Sequence, residues 1–139
     1  IDTINKGVVE DTRTVKGAPF SELRMWLFVR KDLPMPPGKL AAQAGHGFGT
    51  CIWLSVMENQ ELVRDYMMQA QGKISVSVKS EEELLKVVQD CRDAGLTAVA
   101  VKDSAHTFFV EPTFTVGAVG PCLREDLPKS VRRLRLHGS

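Results

Sequence analysis

The sequence predicts an α/β protein, a three-layer α/β/α sandwich on a mixed, mostly parallel sheet of about four strands. Three observations predict it. Continuous apolar runs at "LRMWLFVR" (23–30) and "LTAVAV" (96–101) read as buried strands. The segment "SEEELLKVVQDCRDAG" (80–95) carries a full set of helix start and stop signals. Strands and helices then alternate along the chain, as in sheets covered by helices on both faces.

Residues 1–22 mix charge with Gly and Pro at no clean period and read as an N-terminal tail or arm, leaving 23–139 as the single domain. After the first strand, the prolines of "KDLPMPPG" exclude helix and central strand, so this stretch is a connection. A helix is expected from near Gly38 to about Met57, followed by a shorter one in "ENQELVRDYMMQA". "KISVSVKS" (73–80) alternates apolar and polar residues and reads as a strand with one wetter face. In the next helix Ser80 suits the N-cap, Glu83 the capping-box position and Gly95 the C-terminal cap. "HTFFVEPTFTVGAVGP" holds a further strand, bent at Pro112 and ending by Pro121. A last helix near 123–130 and a short extended piece finish the chain.

The chain's 139 residues, 43% hydrophobic and 25% charged, suffice for a core without disulfides or metal. No apolar run approaches the roughly 18 residues of a membrane helix, and no signal-peptide pattern is present. The chain opens at Ile1 rather than methionine and is expected to be a fragment or a processed form. Three widely spaced cysteines (Cys51, Cys91, Cys122) predict reduced thiols in a cytosolic protein. The net charge of +1 excludes a protein that grips nucleic acid by overall charge alone. The C-terminal stretch is less even: Arg124, Lys129, Arg132, Arg133 and Arg135 stand against Glu125 and Asp126. It reads either as a solvated helix and strand or as a patch touching phosphates.

Within "PMPPGKLAAQAGHGFGTCIW" (34–53), Lys39, Gln43 and His46 recur at i, i+4, i+7, one face of a helix. Leu40, Ala44, Gly47, Cys51 and Leu54 form an apolar stripe beside it, so the polar stripe is expected to serve something outside the core. Lys39 stands in a first helical turn, where the macrodipole disfavours a cation and the free amides favour an anion. An exposed lysine and an anion site both fit that position. Asp103 follows a buried strand, where open α/β sheets hold their ligands, although a turn-forming aspartate fits equally. Thr107 lies four residues on, and His46 and His106 are the histidines able to titrate near neutrality or simply to pack. "GHGFGT" lacks the third glycine of a dinucleotide fingerprint and falls inside a helix; its glycines are expected to permit close packing. No phosphate loop, covalent nucleophile motif or metal-ligand spacing is present.

In order along the chain, "VRKDLPMPPGKLAAQAGH", "VKDSAHT" and "FTVGAVGP" resemble the type 2 peptidyl-tRNA hydrolase family, whose pattern is "VR-x-DL", "GK-x-AAQ-x-x-H", "QDAGRT" and "TVLGIGP". The likeness spans about Arg24 to Leu136. It implies hydrolysis of the ester between a peptide and tRNA, with peptidyl-tRNA as partner and neither metal nor organic cofactor. It further implies a cytoplasmic protein, a mitochondrial address remaining open, that can pair as a homodimer away from membranes. Lys39, Asp103 and Thr107 match the family's catalytic residues; Gln43, His46, His106 and Arg30 fall on substrate-binding positions. Such chemistry needs a positioned water, a group to manage its proton and a counter-charge for the oxyanion. Asp103 is expected to act on the water with Thr107 fixing its geometry, and Lys39 to stabilise the oxyanion. A lysine base is the reverse assignment, opposed by the neighbouring carboxylate, which favours the charged amine. The chain departs from the pattern at "PPGK" for "GKGK", "DSAHT" for "DAGRT", Phe108 for a polar residue and "EPTF" for a "PGT" turn. These departures surround the cleft. They leave a non-catalytic RNA- or protein-binding module, and another ester or amide hydrolase, as alternative readings.

Overall fold

The computed structural model describes residues 4, 6–11, 22–104 and 111–138. Its middle layer is a sheet of four strands: β1 (Arg24–Arg30), β2 (Gly72–Val78), β3 (Ala98–Asp103) and β4 (Thr113–Cys122). Their spatial order is β2-β1-β4-β3. Period-two alternation sends β1 to both faces. Met25, Leu27 and Val29 pack with Cys51 and Tyr66 of the helices α1 (Pro37–Glu58) and α2 (Gln60–Met67). Trp26 and Phe28 pack with Leu84, Val87 and Val88 of α3 (Glu81–Asp93) on the other face. The two cores make the three layers that were expected.

The sheet is mixed and four-stranded but not mostly parallel. β1 and β2 pair in parallel, whereas β4 is antiparallel to both β1 and β3. β1, β2 and β3 do run the same way, which is what the strand–helix alternation detects. β4 inserts against that direction because residues 104–112 are fewer than the dozen or so a parallel crossover needs. One consequence matters for the site: the carboxyl ends of β1, β2 and β3 share an edge, and the loop after β1 brings α1 to start there.

Local signals account for most boundaries. Ser80 Oγ accepts from Glu83 N at 3.1 Å, and Glu83 Oε1 reaches back to Lys79 N at 2.9 Å, one residue before the N-cap. Gly95 ends α3 with φ +82°, a conformation that suits glycine. Gly117 in β4 is required by packing: a Cβ there would lie 2.8 Å from Val88 Cγ2 and 3.1 Å from Val99 O. The expected helix over 123–130 is instead a 3-10 turn (Arg124–Asp126) and a single helical turn, α4 (Lys129–Arg132). Pro128 divides them, since it lacks an amide hydrogen and drives Leu127 to extended geometry, ψ 144°. The final extended piece forms an antiparallel bridge, Leu136 to Val76. Among the described residues, no helix is long and apolar enough to cross a membrane.

Candidate active site

Pro36 is the N-cap of α1 and Pro37 its first residue; no side chain caps this end and no acid stands in its first turn. The positive end of a 22-residue helix is therefore bare at the shared strand edge. Lys39 projects from that turn and its ammonium is ion-paired with Oδ2 of Asp103. Asp103 is not in a loop after the strand, as its sequence position suggested, but is the last residue of β3, paired with Thr113 of β4. Alternation along β3 explains its aim: Val99 and Val101 face the α1 layer, and Asp103 continues that side. The carboxylate side chain is 6% exposed and the lysine 20%. The pair thus presents a buried base with an outward-facing cation and helix amides beside it. Such a group can hold a water, take its proton and meet a negative charge developing on a carbonyl oxygen.

The polar stripe of α1 divides. Gln43, expected to face out of the core, is buried with Gly47, Cys51 and Ser55 on the face against the sheet. Its Oε1 accepts from Thr115 Oγ1 at 3.0 Å, and both residues are buried. A β-bulge delivers this partner. Val101 pairs with Val116 but Lys102 with Phe114, leaving Thr115 as the extra residue on β4. Thr115 was not singled out by sequence, because "TFTV" alternates polar and apolar residues as an ordinary strand does and carries no signal of the bulge. Of the three glycines in "GHGFG", Gly47 alone permits close packing, since a Cβ there would lie 3.2 Å from Ala118 Cβ; Gly45 and Gly49 face open space. His46 is exposed on α1.

Arg30, expected among the substrate contacts, is turned to the other layer. Its Nε and Nη2 donate to Asp32 at 3.0 and 2.8 Å, and Nη1 donates to Phe114 O at 2.9 Å. Glu81 at the start of α3 lies 3.8 Å from the same guanidinium. The hydrogen bond from Arg30 holds the Asp32 carboxyl below the ordinary carboxylate range, and Asp32 in turn raises Arg30. Continuing the Trp26–Phe28 side of β1, Arg30 faces α3 rather than the Lys39–Asp103 pair. Thr107 and His106 lie outside the described residues. The three cysteines are free and buried. Burial pushes their thiols up to about 12, which leaves them poor nucleophiles at neutral pH. Among the described residues, no group of three or more His, Cys, Asp or Glu could hold a metal.

Comparison with known proteins adds a family. The family profile described as Peptidyl-tRNA hydrolase PTH2 matches residues 23–137. The chain is 32% identical to a protein of Methanocaldococcus jannaschii named peptidyl-tRNA hydrolase, over 82% of this chain and 99% of that one. It is 34% identical to the probable peptidyl-tRNA hydrolase 2 of Drosophila melanogaster, over 81% of this chain and 61% of the fly protein. The human protein named peptidyl-tRNA hydrolase 2, mitochondrial is 29% identical over 84% of this chain and 65% of its own length. The profile match and the archaeal relative, covered almost end to end, establish that this chain belongs to the peptidyl-tRNA hydrolase PTH2 family.

Proposed function

We propose that this chain hydrolyses the ester joining a peptide to tRNA, releasing both and recycling the tRNA. The observation that carries the reading is the Lys39–Asp103 ion pair at the uncapped start of α1. Asp103 takes a proton from a bound water as its oxygen attacks the ester carbonyl. The tetrahedral oxyanion forms against the Lys39 ammonium and the first-turn amides. The bond to the ribose oxygen then breaks, and that oxygen leaves with a proton returned from Asp103. Thr107 fixes the geometry of the water, and His46 and His106 contact the substrate. Gln43, tied to Thr115, holds the second turn of α1 against the sheet beneath the pair.

The family match, which begins at residue 23, supports reading the catalytic domain as starting there. Pairing into a homodimer would cover the apolar side chains that α1 exposes, Trp53 and Met57, and sedimentation tests it. The address in the cell is the cytoplasm, which imaging of the full-length protein tests. Incubation with an N-blocked aminoacyl-tRNA tests the activity: release of the blocked amino acid is expected. Tight tRNA binding without release would overturn the enzyme in favour of a binding module.

A further inference from the structure

The C-terminal basic stretch finds its place at the outer edge of the sheet. β2 would otherwise be an open edge strand, but residues 135–137 lie along it. Ser77 N donates to Arg135 O at 2.9 Å and His137 N to Ser75 O at 2.8 Å. Ser77 Oγ and His137 Nδ1 are 2.7 Å apart, which locks the tail side chain to the strand. Lys31 is fixed from the other side, its amide donating to Val78 O at 2.9 Å. Between these segments lies a cleft of about 370 Å³ lined by Lys31, Ser77, Lys79, Glu83, Arg133 and Arg135.

Its charge is one-sided. Four cations face a single carboxylate, and Glu83 already accepts from the Lys79 amide. Arg30 and Lys86, by contrast, each meet an acid, Asp32 and Asp90 respectively. All four are exposed, and among the described residues none forms an ion pair within 4.0 Å, although Arg133 acts on Asp90 from farther off. A cluster of like charges held on fixed backbone is a concavity that attracts an extended anion. The cleft adjoins a second hollow at Lys31. That hollow, of about 190 Å³, has Pro34, Leu40 and His137 among its other walls. Leu40 is the residue after Lys39, and His137 is bonded to Ser77 of the first cleft.

We propose that this cleft seats the phosphate backbone of the tRNA, with Lys31, Lys79, Arg133 and Arg135 as its phosphate contacts. The inference rests on the peptidyl-tRNA reading and adds the surface that holds the RNA while the ester lies at Lys39 and Asp103. It explains how a chain with a net charge of only +1 binds a polyanion: the positive charge is gathered along one edge.

Uncharged tRNA binding, followed by anisotropy across a salt series, separates the cleft from the catalytic reading. Lys79→Gln, Arg133→Gln and Arg135→Gln are each expected to weaken tRNA several-fold. Each also reduces the slope of log affinity on log salt by about 0.7–0.9, the value for one lost phosphate contact. Arg64→Gln, the same charge change on α2, leaves both unaltered. With peptidyl-tRNA the cleft variants raise KM and keep kcat, and they cleave an N-blocked aminoacyl ester of adenosine at the rate of the parent. Unchanged slopes in the cleft variants would overturn the proposal while leaving hydrolysis intact. So would an equal loss in Arg64→Gln, or a loss confined to inorganic polyphosphate. If no ester is cleaved yet tRNA binding still falls in the cleft variants, the catalytic reading fails and the cleft stands.

Discussion

Lys39, in the first turn of α1, is ion-paired with Asp103, the last residue of β3. The two come from segments far apart in sequence and meet because β1 and β3 end at one sheet edge, where the loop after β1 starts its helix. They are unequally buried, with the carboxylate inside and the ammonium toward solvent. Removing the amine strips a buried carboxylate of its counter-charge, whereas neutralising the carboxylate leaves an amine that can turn to water. Lys39→Ala is therefore expected to lower stability by about 1–3 kcal/mol, and Asp103→Asn by less. Urea unfolding of both variants checks the order.

The Gln43–Thr115 hydrogen bond is buried on both sides. Thr115→Val keeps the shape and leaves the Gln43 carbonyl without its donor, at an expected cost of about 1–3 kcal/mol. Gln43→Leu removes the stranded group, so the double variant should lose clearly less than the sum of the singles. Additive losses in a double-mutant cycle would show that the contact is incidental.

Two glycines should respond oppositely to alanine. Gly49 sits mid-helix with open space around its Cβ direction, so Gly49→Ala is expected to stabilise by about 0.5–1 kcal/mol. At Gly117 the new methyl meets Val88 at 2.8 Å. Valine has few rotamers with which to yield, so Gly117→Ala should destabilise by about 1–3 kcal/mol. Thermal midpoints of the two variants give both signs in one measurement.

The buried thiols set an alkaline limit. Each of Cys51, Cys91 and Cys122 is pushed from 9.0 to about 12 by burial in the folded chain. Above pH 9 the unfolded chain loses thiol protons that the native one keeps, so stability falls as pH rises toward 12. Below pH 9 both states hold the proton and the thiols contribute no slope. The fall is at most about 1.4 kcal/mol per pH unit for each thiol. Denaturant midpoints at pH 7, 9 and 10.5 should drop over the last interval, and Cys122→Ala should flatten that drop.

Much of this was legible because local signals were strong. Ser80 and Gly95 mark α3, and the prolines of 34–37 mark the start of α1, so Lys39 could be placed in a first turn. Asp103 could be placed at a strand end because the run before it is continuously apolar. The direction of β4 was not legible, because strand–helix alternation reports the strands that share a direction and is silent on one inserted against it. Gln43 was misread for a related reason. Periodicity gives the angle between residues on a helix but not which angle faces the sheet, and Gly47 and Ala118 settle that through close packing. Thr115 reaches Gln43 through a bulge, a register event with no one-residue signature. Arg30 sits in a matching motif, yet strand alternation turns it to the opposite layer.

Single-turnover hydrolysis of an N-blocked aminoacyl-tRNA by Lys39→Ala, Asp103→Asn and the double variant tests the central claim most directly. Each single variant should lose about 10²–10⁴-fold in rate while remaining folded by circular dichroism, and the double should be little worse than the poorer single. Near-parental release by either single variant would contradict the account.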